Sequence, residues 1–163
     1  YFVLFNEVRI IVRQIPSKPP YSINSIWTDE IWLNDINSMI IYQFKNVQSK
    51  FVLGVLNSKM ISFWINMKFN KLQRGLFPQF KVKELGLFPI IKNPGNIQEQ
   101  KLIDLVNQMV SLQYKIRNIK SAGNEKEGVE RQIKNIDYEI DQEVYKLYGI
   151  TKEEQKIIEE SLK

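Results

Sequence analysis

The chain has 163 residues, 44% of them hydrophobic, which is enough for one domain with a conventional buried core. It contains neither cysteine nor histidine, which excludes disulfides, zinc ribbons and histidine-based catalysis. No apolar run is long enough for a membrane span, and the opening residues do not resemble a signal peptide, so we expect a cytoplasmic protein.

The net charge of +5 is unevenly distributed. Residues 1–90 hold eleven Lys and Arg against five Asp and Glu, whereas residues 91–163 hold twelve against thirteen. Between Asp35 and Glu84 there is no acidic residue, although eight basic residues fall there. Such a stretch attracts polyanions, because each phosphate that it neutralises releases counterions. An ordinary solvated surface, with acidic partners from elsewhere in the fold, would explain the same pattern.

The first part of the chain predicts a small antiparallel or mixed sheet. It begins with Tyr1 rather than Met, directly in an apolar run, so we expect it to be a fragment of something longer. Residues 9–15 are rich in β-branched side chains and end at Pro16, which is typical of a strand. Further strand candidates are the runs at 25–28, 31–33 and 39–44.

The pattern changes to a helical period from about Gln48. Asn57 and Ser58 predict a break and an N-cap between two helices, the second of which is expected to end at Gly75. Residues 76–83 then predict a loop and a short strand, with Phe80 and Val82 on one side and lysines on the other.

Residues 93–96, Asn-Pro-Gly-Asn, form the clearest boundary in the sequence. After them, apolar residues recur at spacings of 3, 4, 3, 4 and 3 from Leu102 to Ile119, and a second apolar stripe follows residues 121–128. This predicts an antiparallel, coiled-coil-like helical hairpin. Gly149 is placed as a C-terminal cap, and residues 151–154 have the spacing of a capping box that opens a last helix.

Two motifs with catalytic associations are interpreted as structural. Residues 18–21, Lys-Pro-Pro-Tyr, are close to an amino-methyltransferase motif, but a lysine ammonium cannot accept a hydrogen bond from the target amine. A glycine-rich loop for S-adenosylmethionine is also missing. Asp137, Glu139, Asp141 and Glu143 could suggest a metal site. Because Asp137 and Asp141 share the helix face away from Ile133, Ile136 and Ile140, we interpret the cluster as a solvated helix surface.

The ordered set of landmarks resembles the TaqI-like C-terminal specificity domain, which follows the methyltransferase domain in type II and type IIG restriction-modification enzymes. The matching segments are the opening strand at 9–13, the helix at 51–59 with its Leu-Asn-Ser corner, residues 77–85 leading to 87–90, the helical pair, and residues 136–154. One departure is that the usual Pro-Ile-Pro is Pro-Ile-Ile at 89–91. Another is that residues 1–163 themselves include no methyltransferase or nuclease sequence, so we expect the activity to lie outside this piece.

The resemblance implies that the globular part reads bases in the major groove of double-stranded DNA, while the helices serve as a spacer and packing arm. It also implies an adenine-specific methyltransferase as the parent, with or without a fused endonuclease. We therefore expect no catalytic residues, cofactor or metal in this fragment. S-adenosylmethionine, and Mg²⁺ if the parent cleaves DNA, would belong to the rest of the enzyme. Its N-terminal methyltransferase domain would be the protein partner.

The specificity segment of the family falls on the acid-free stretch, so the recognition residues are predicted there. Arg and Gln read guanine and adenine through bidentate hydrogen bonds, whereas Lys mostly positions phosphate. We predict base contacts from Arg74 and Gln79. The predicted phosphate contacts are Arg13, Lys59, Lys68, Lys71, Lys81 and Lys83.

The sequence thus predicts a mixed α/β chain of the α+β type: a recognition body over residues 1–92, then the hairpin and a C-terminal helix over residues 93–163. Two alternatives stay open. A protein-interaction module would use the apolar seam of the hairpin for docking. An RNA-binding domain would expose Phe69, Phe77 and Phe80 for base stacking, whereas a DNA-reading loop would bury them.

Overall fold

The computed structural model describes residues 7–69, 79–119 and 123–163. In these ranges it contains three strands and six helices, in agreement with the predicted mixed α/β class. No helix of the described chain is long and apolar enough to cross a membrane. The elements are β1 (Arg9–Arg13), β2 (Ser25–Thr28), β3 (Ser38–Tyr42), α1 (Ser49–Leu56), α2 (Lys59–Lys68), α3 (Val82–Leu85), α4 (Asn96–Asn118), α5 (Asn124–Leu147) and α6 (Lys152–Ser161).

The three strands form an antiparallel sheet in the order β2-β1-β3. Ile10 and Val12 on the central strand are fully buried and define the inner face, which packs against α1. The strands predicted at 9–15, 25–28 and 39–44 are therefore confirmed, with small differences at their ends. The strand predicted at 31–33 is wrong. That run lies in the loop between β2 and β3, where the carbonyls of Glu30 and Trp32 accept hydrogen bonds from the Arg9 guanidinium.

The break between the first two helices lies where the sequence predicts it. The Ser58 hydroxyl caps α2 by accepting from the backbone N–H of Ile61 at 3.3 Å. The helix ends at Lys68, and the predicted end at Gly75 lies outside the described residues. The short strand predicted before Lys83 is wrong, because Glu84 accepts from the backbone N–H of Lys81 at 2.6 Å and a helical turn begins there. As a result Val82 is 69% exposed.

The helical hairpin is confirmed, and two ion pairs at its opposite ends show that it is antiparallel. Lys101 lies 2.7 Å from Glu143, and Lys115 lies 3.8 Å from Glu125 near the turn. The cap at Gly149 is confirmed by its φ of +65° and by the hydrogen bonds of a Schellman motif. The predicted capping box is present at the start of α6.

The hydrophobic core is continuous from the sheet to the last helix. Gly54 on α1 allows α4 to approach closely, since a Cβ at that position would lie 2.9 Å from a methyl of Val106. The boundary predicted between residues 92 and 93 falls before α4, but the core includes Leu102 and Val106 on the far side of it. The recognition body therefore shares its interior with the hairpin.

One predicted surface is wrong. Asp141 and Glu143 are only 1% and 8% exposed, although the sequence predicts a solvated face. The apolar stripe of α5 packs on α4, but the side of α5 that bears Asp141 contacts the start of α2. Because α5 has neighbours on two sides, a carboxylate outside the stripe becomes buried.

Candidate nucleic-acid interface

Four aromatic residues bring separate parts of the chain to one corner of the molecule. Trp64 of α2 makes edge contacts with Phe69 at 5.7 Å and with Phe88 at 5.3 Å between ring centroids. Phe80 stacks on Phe88 at 5.8 Å, and its backbone N–H donates to the carbonyl of Gln14 at 3.1 Å. The end of β1, the end of α2 and the start of α3 consequently meet there. We call this region the aromatic corner.

Four exposed cations are neighbours in the sequence of residues at the aromatic corner. Arg13 precedes Gln14 at the end of β1, Lys68 precedes Phe69, and Lys81 and Lys83 follow Phe80. In the described ranges none of these four lies within ion-pair distance of a carboxylate. Their charge is therefore available to an anionic ligand, and for the three lysines the acid-free stretch of sequence predicts this.

The predicted base-reading residues are only partly described. Arg74 and the phosphate candidate Lys71 lie outside the described residues, as does Phe77. The described residues on either side of them, Phe69 and Gln79, lie at or next to the aromatic corner. The Gln79 side chain is half-buried, and its amide oxygen accepts from the Lys81 ammonium at 3.1 Å.

Lys59 does not join the other predicted phosphate contacts. Its ammonium lies 3.3 Å from Asp141 and 3.9 Å from Glu159, and its backbone N–H donates to Asp141 at 2.8 Å. A cation held by two carboxylates inside the protein has little capacity left for phosphate. The sequence predicts Lys59 as a phosphate contact because it lies in the acid-free stretch. In the folded chain its carboxylate partners come from α5 and α6.

Asp141 is the centre of a polar junction between the recognition body and the hairpin. Besides Lys59, it accepts from the Tyr21 hydroxyl at 2.8 Å. Burial raises the pKa of Asp141 above its ordinary value, against the lowering effect of its hydrogen bonds and of Lys59. Burial and the charge of Asp141 together raise the pKa of neighbouring Asp137 to about 6. No group of three acidic side chains in the described chain is arranged to hold a metal ion.

No local pattern in the sequence predicts this junction. Tyr21 belongs to the Lys-Pro-Pro-Tyr motif, which the sequence predicts to be a structural loop, and its hydroxyl has its hydrogen-bond partner 120 positions away. Only the absence of an acidic residue near Lys59 in the sequence could have suggested a distant carboxylate partner.

Among the described residues, Phe69 and Phe80 do not form an exposed stacking platform. Phe80 is fully buried, and Phe69 is half-buried against Trp64. The inner half of the apolar seam of the hairpin is filled from within, since Leu102 and Leu105 of α4 and Ile136 and Ile140 of α5 are buried in the common core. The first observation disfavours single-stranded RNA as the ligand. The second leaves only the outer half of the seam, where Leu112 and Ile116 are half-buried, accessible for docking.

Residues 2–90 match the model of the TaqI-like C-terminal specificity domain. The match covers more than half of the chain, and the chain belongs to this family. Specificity domains of this kind are DNA-recognition modules of restriction-modification enzymes. A comparison with curated proteins found no match.

Proposed function

We propose that this chain recognises a specific sequence in double-stranded DNA as the specificity domain of an adenine-specific restriction-modification methyltransferase. The observation that carries the proposal is the set of four exposed cations next to the aromatic corner that have no ion pair within the described part of the chain, whose residues 2–90 match the specificity family. In this proposal the enzyme acts in the cytoplasm, and an N-terminal methyltransferase domain of the same polypeptide binds S-adenosylmethionine. If that polypeptide also cleaves DNA, Mg²⁺ belongs to its nuclease part.

The proposed interface has two classes of contact, to phosphates and to base edges. Arg13, Lys68, Lys81 and Lys83, together with Lys71, neutralise phosphates and set the register of the duplex. Arg74 and Gln79 contact base edges in the major groove. Gln79 would exchange its internal hydrogen bond with Lys81 for one to DNA. We leave Lys59 out of the phosphate set, because its charge is committed to Asp141 and Glu159.

Binding measurements on the full-length enzyme test these roles. Arg74→Ala should cost about 1–3 kcal/mol on the cognate site and relax the preference at one base pair, because a bidentate base contact is lost. Lys83→Ala should weaken binding to all sequences alike and lower the salt slope by about one, because one phosphate contact is lost. Lys134→Ala is the matched control, an exposed lysine of α5 with no described ion pair.

The proposal fails if Arg74→Ala and Lys83→Ala both leave affinity, specificity and salt dependence at the level of the Lys134→Ala control. Binding of single-stranded RNA tighter than that of cognate duplex DNA would favour the RNA-binding alternative. Transfer of a labelled methyl group to DNA by the purified 163-residue chain would contradict the placement of catalysis outside it.

A further inference from the structure

The loop between β2 and β3 presents large apolar side chains to solvent. Ile31, Leu33 and Ile36 are 70%, 77% and 89% exposed, and the Trp32 ring beside them is also exposed. Single exposed apolar residues are common, but several in one short loop mark a surface that another molecule covers.

Hydrogen bonds hold this loop in one shape. The buried Arg9 guanidinium donates to the carbonyls of Glu30 at 2.6 Å and Trp32 at 3.0 Å, which ties the loop to the outer face of the sheet. At the other end, Asp35 accepts from the backbone N–H of Asn37 at 3.1 Å and from the Ser38 hydroxyl at 2.8 Å. A partner would therefore meet apolar side chains on a backbone that is already ordered, at a small entropic cost.

The charge around the loop identifies the chemistry of the partner. Residues 19–44 contain no Lys or Arg, whereas Asp29, Glu30 and Asp35 are exposed beside the apolar side chains. Arg13 of β1 lines the same groove as Asp29 and Glu30, but the three carboxylates of the loop itself disfavour a phosphate backbone there. The loop also opposes its own copy, because a two-fold contact would place the same carboxylates against each other. An apolar protein surface rimmed by Lys and Arg complements it in both respects.

We propose that residues 29–36 form a docking surface for a protein domain whose contact area is apolar at its centre and basic at its rim. The indole N–H of Trp32 donates to Glu30 at 2.8 Å, so the aromatic ring and a rim carboxylate are presented as a unit. The proposal concerns the loop between β2 and β3, none of whose residues is among the proposed DNA contacts, and it stands whether or not the aromatic corner binds DNA.

Site-specific photocrosslinking in the full-length protein, expressed in living cells, tests the proposal. A benzophenone amino acid at Leu33 should crosslink to a protein segment, and mass spectrometry should show apolar residues and Lys or Arg at the crosslinked position. Asp29→Lys should lower the yield about fivefold or more by reversing a rim charge, and Asp29→Asn should lower it less. A triple Ile31→Ser, Leu33→Ser, Ile36→Ser variant, with the probe moved to Trp32, should lose the crosslink while keeping the thermal midpoint, since these side chains are exposed.

Three results would overturn the docking surface: crosslinks from Leu33 to DNA, crosslinks to a second copy of the chain, or no crosslink at all. The same probe at the exposed Val82, beside the aromatic corner, separates the two proposals. It should crosslink to DNA if the proposed function is correct. A failure at Val82 alone counts against DNA binding, and a failure at Leu33 alone counts against the docking surface.

Discussion

At the scale of single residues, a substitution of Lys59 tests whether this lysine stabilises the fold or binds DNA. Removing its ammonium in Lys59→Met leaves the buried Asp141 with fewer compensating contacts. We expect the free energy of unfolding to fall by about 1–3 kcal/mol. The salt dependence of DNA binding by the full-length enzyme should stay unchanged. Urea unfolding and a salt titration measure the two quantities, with the exposed Lys45→Met as control. A salt slope lowered by about one at unchanged stability would return Lys59 to the phosphate set.

Asp137 provides a test of the junction through pH. Burial, together with the charge of Asp141, raises its pKa to about 6 from the ordinary 3.8. The folded state therefore binds this proton more tightly than the unfolded state. Ionisation opposes folding, and that penalty is absent below about pH 4 and complete above about pH 6. Asp137→Asn should raise stability relative to the wild type at pH 7.5 and have little effect at pH 4.

Urea unfolding of the wild type and of Asp137→Asn across this pH range measures the difference in their free energies of unfolding. Because the other carboxylates are the same in both proteins, the pH dependence of this difference reports on Asp137. Glu139→Gln, on the exposed side of the same helix, serves as the control and should show no such pH-dependent gain. A difference between Asp137→Asn and wild type that grows towards low pH would contradict the raised pKa and its assignment to burial.

At the scale of elements, the contact between α1 and α4 depends on Gly54. A methyl there would lie 2.9 Å from Val106 Cγ2 and 3.1 Å from Leu102 Cδ1. Gly54→Ala should lower the free energy of unfolding by about 1–3 kcal/mol through overpacking, even though alanine favours a helix by about 1 kcal/mol. Gly128→Ala on α5 has open space around it and should instead stabilise the protein.

Thermal or urea unfolding distinguishes these outcomes, and a double variant identifies the cause. Adding Val106→Ala should recover part of the stability lost in Gly54→Ala, because it removes the methyl that clashes. Independent, additive losses in the double variant would show that close packing of α1 on α4 is not the reason for the glycine.

At the scale of the whole molecule, the recognition body and the hairpin share one core. Leu102, Ile103 and Val106 are buried against α1, and the Lys50 ammonium donates to Asn107 at 2.7 Å across the same contact. We expect residues 1–93 alone to lose cooperative unfolding and dispersed amide resonances, because removal of α4 and α5 exposes the inner side of α1. A cooperative transition in that fragment at the wild-type midpoint would show that the body folds as an independent domain.

The sequence by itself determined the features whose physical cause is local. The β-branched run at 9–13, the Ser58 N-cap, the 3-4 seam and the box at Thr151 each depend on side chains within a few positions or on a regular repeat. The same holds for the charge of the aromatic corner, since the absence of acidic residues between Asp35 and Glu84 leaves few local partners for its cations.

Only the tertiary structure decided which of those cations are free and which carboxylates are buried. Lys59 pairs with Asp141, 82 positions away, and Lys50 lies 4.5 Å over the Trp27 ring, so neither belongs to the exposed basic set. Residues 31–33 do not form a strand, because the carbonyls of Glu30 and Trp32 accept hydrogen bonds from the Arg9 guanidinium. Asp141 is buried, because α5 has neighbouring helices on two sides. In each case the residue that determines the outcome comes from a distant part of the sequence. The hydrophobic periodicity of a single element carries no information about such a contact.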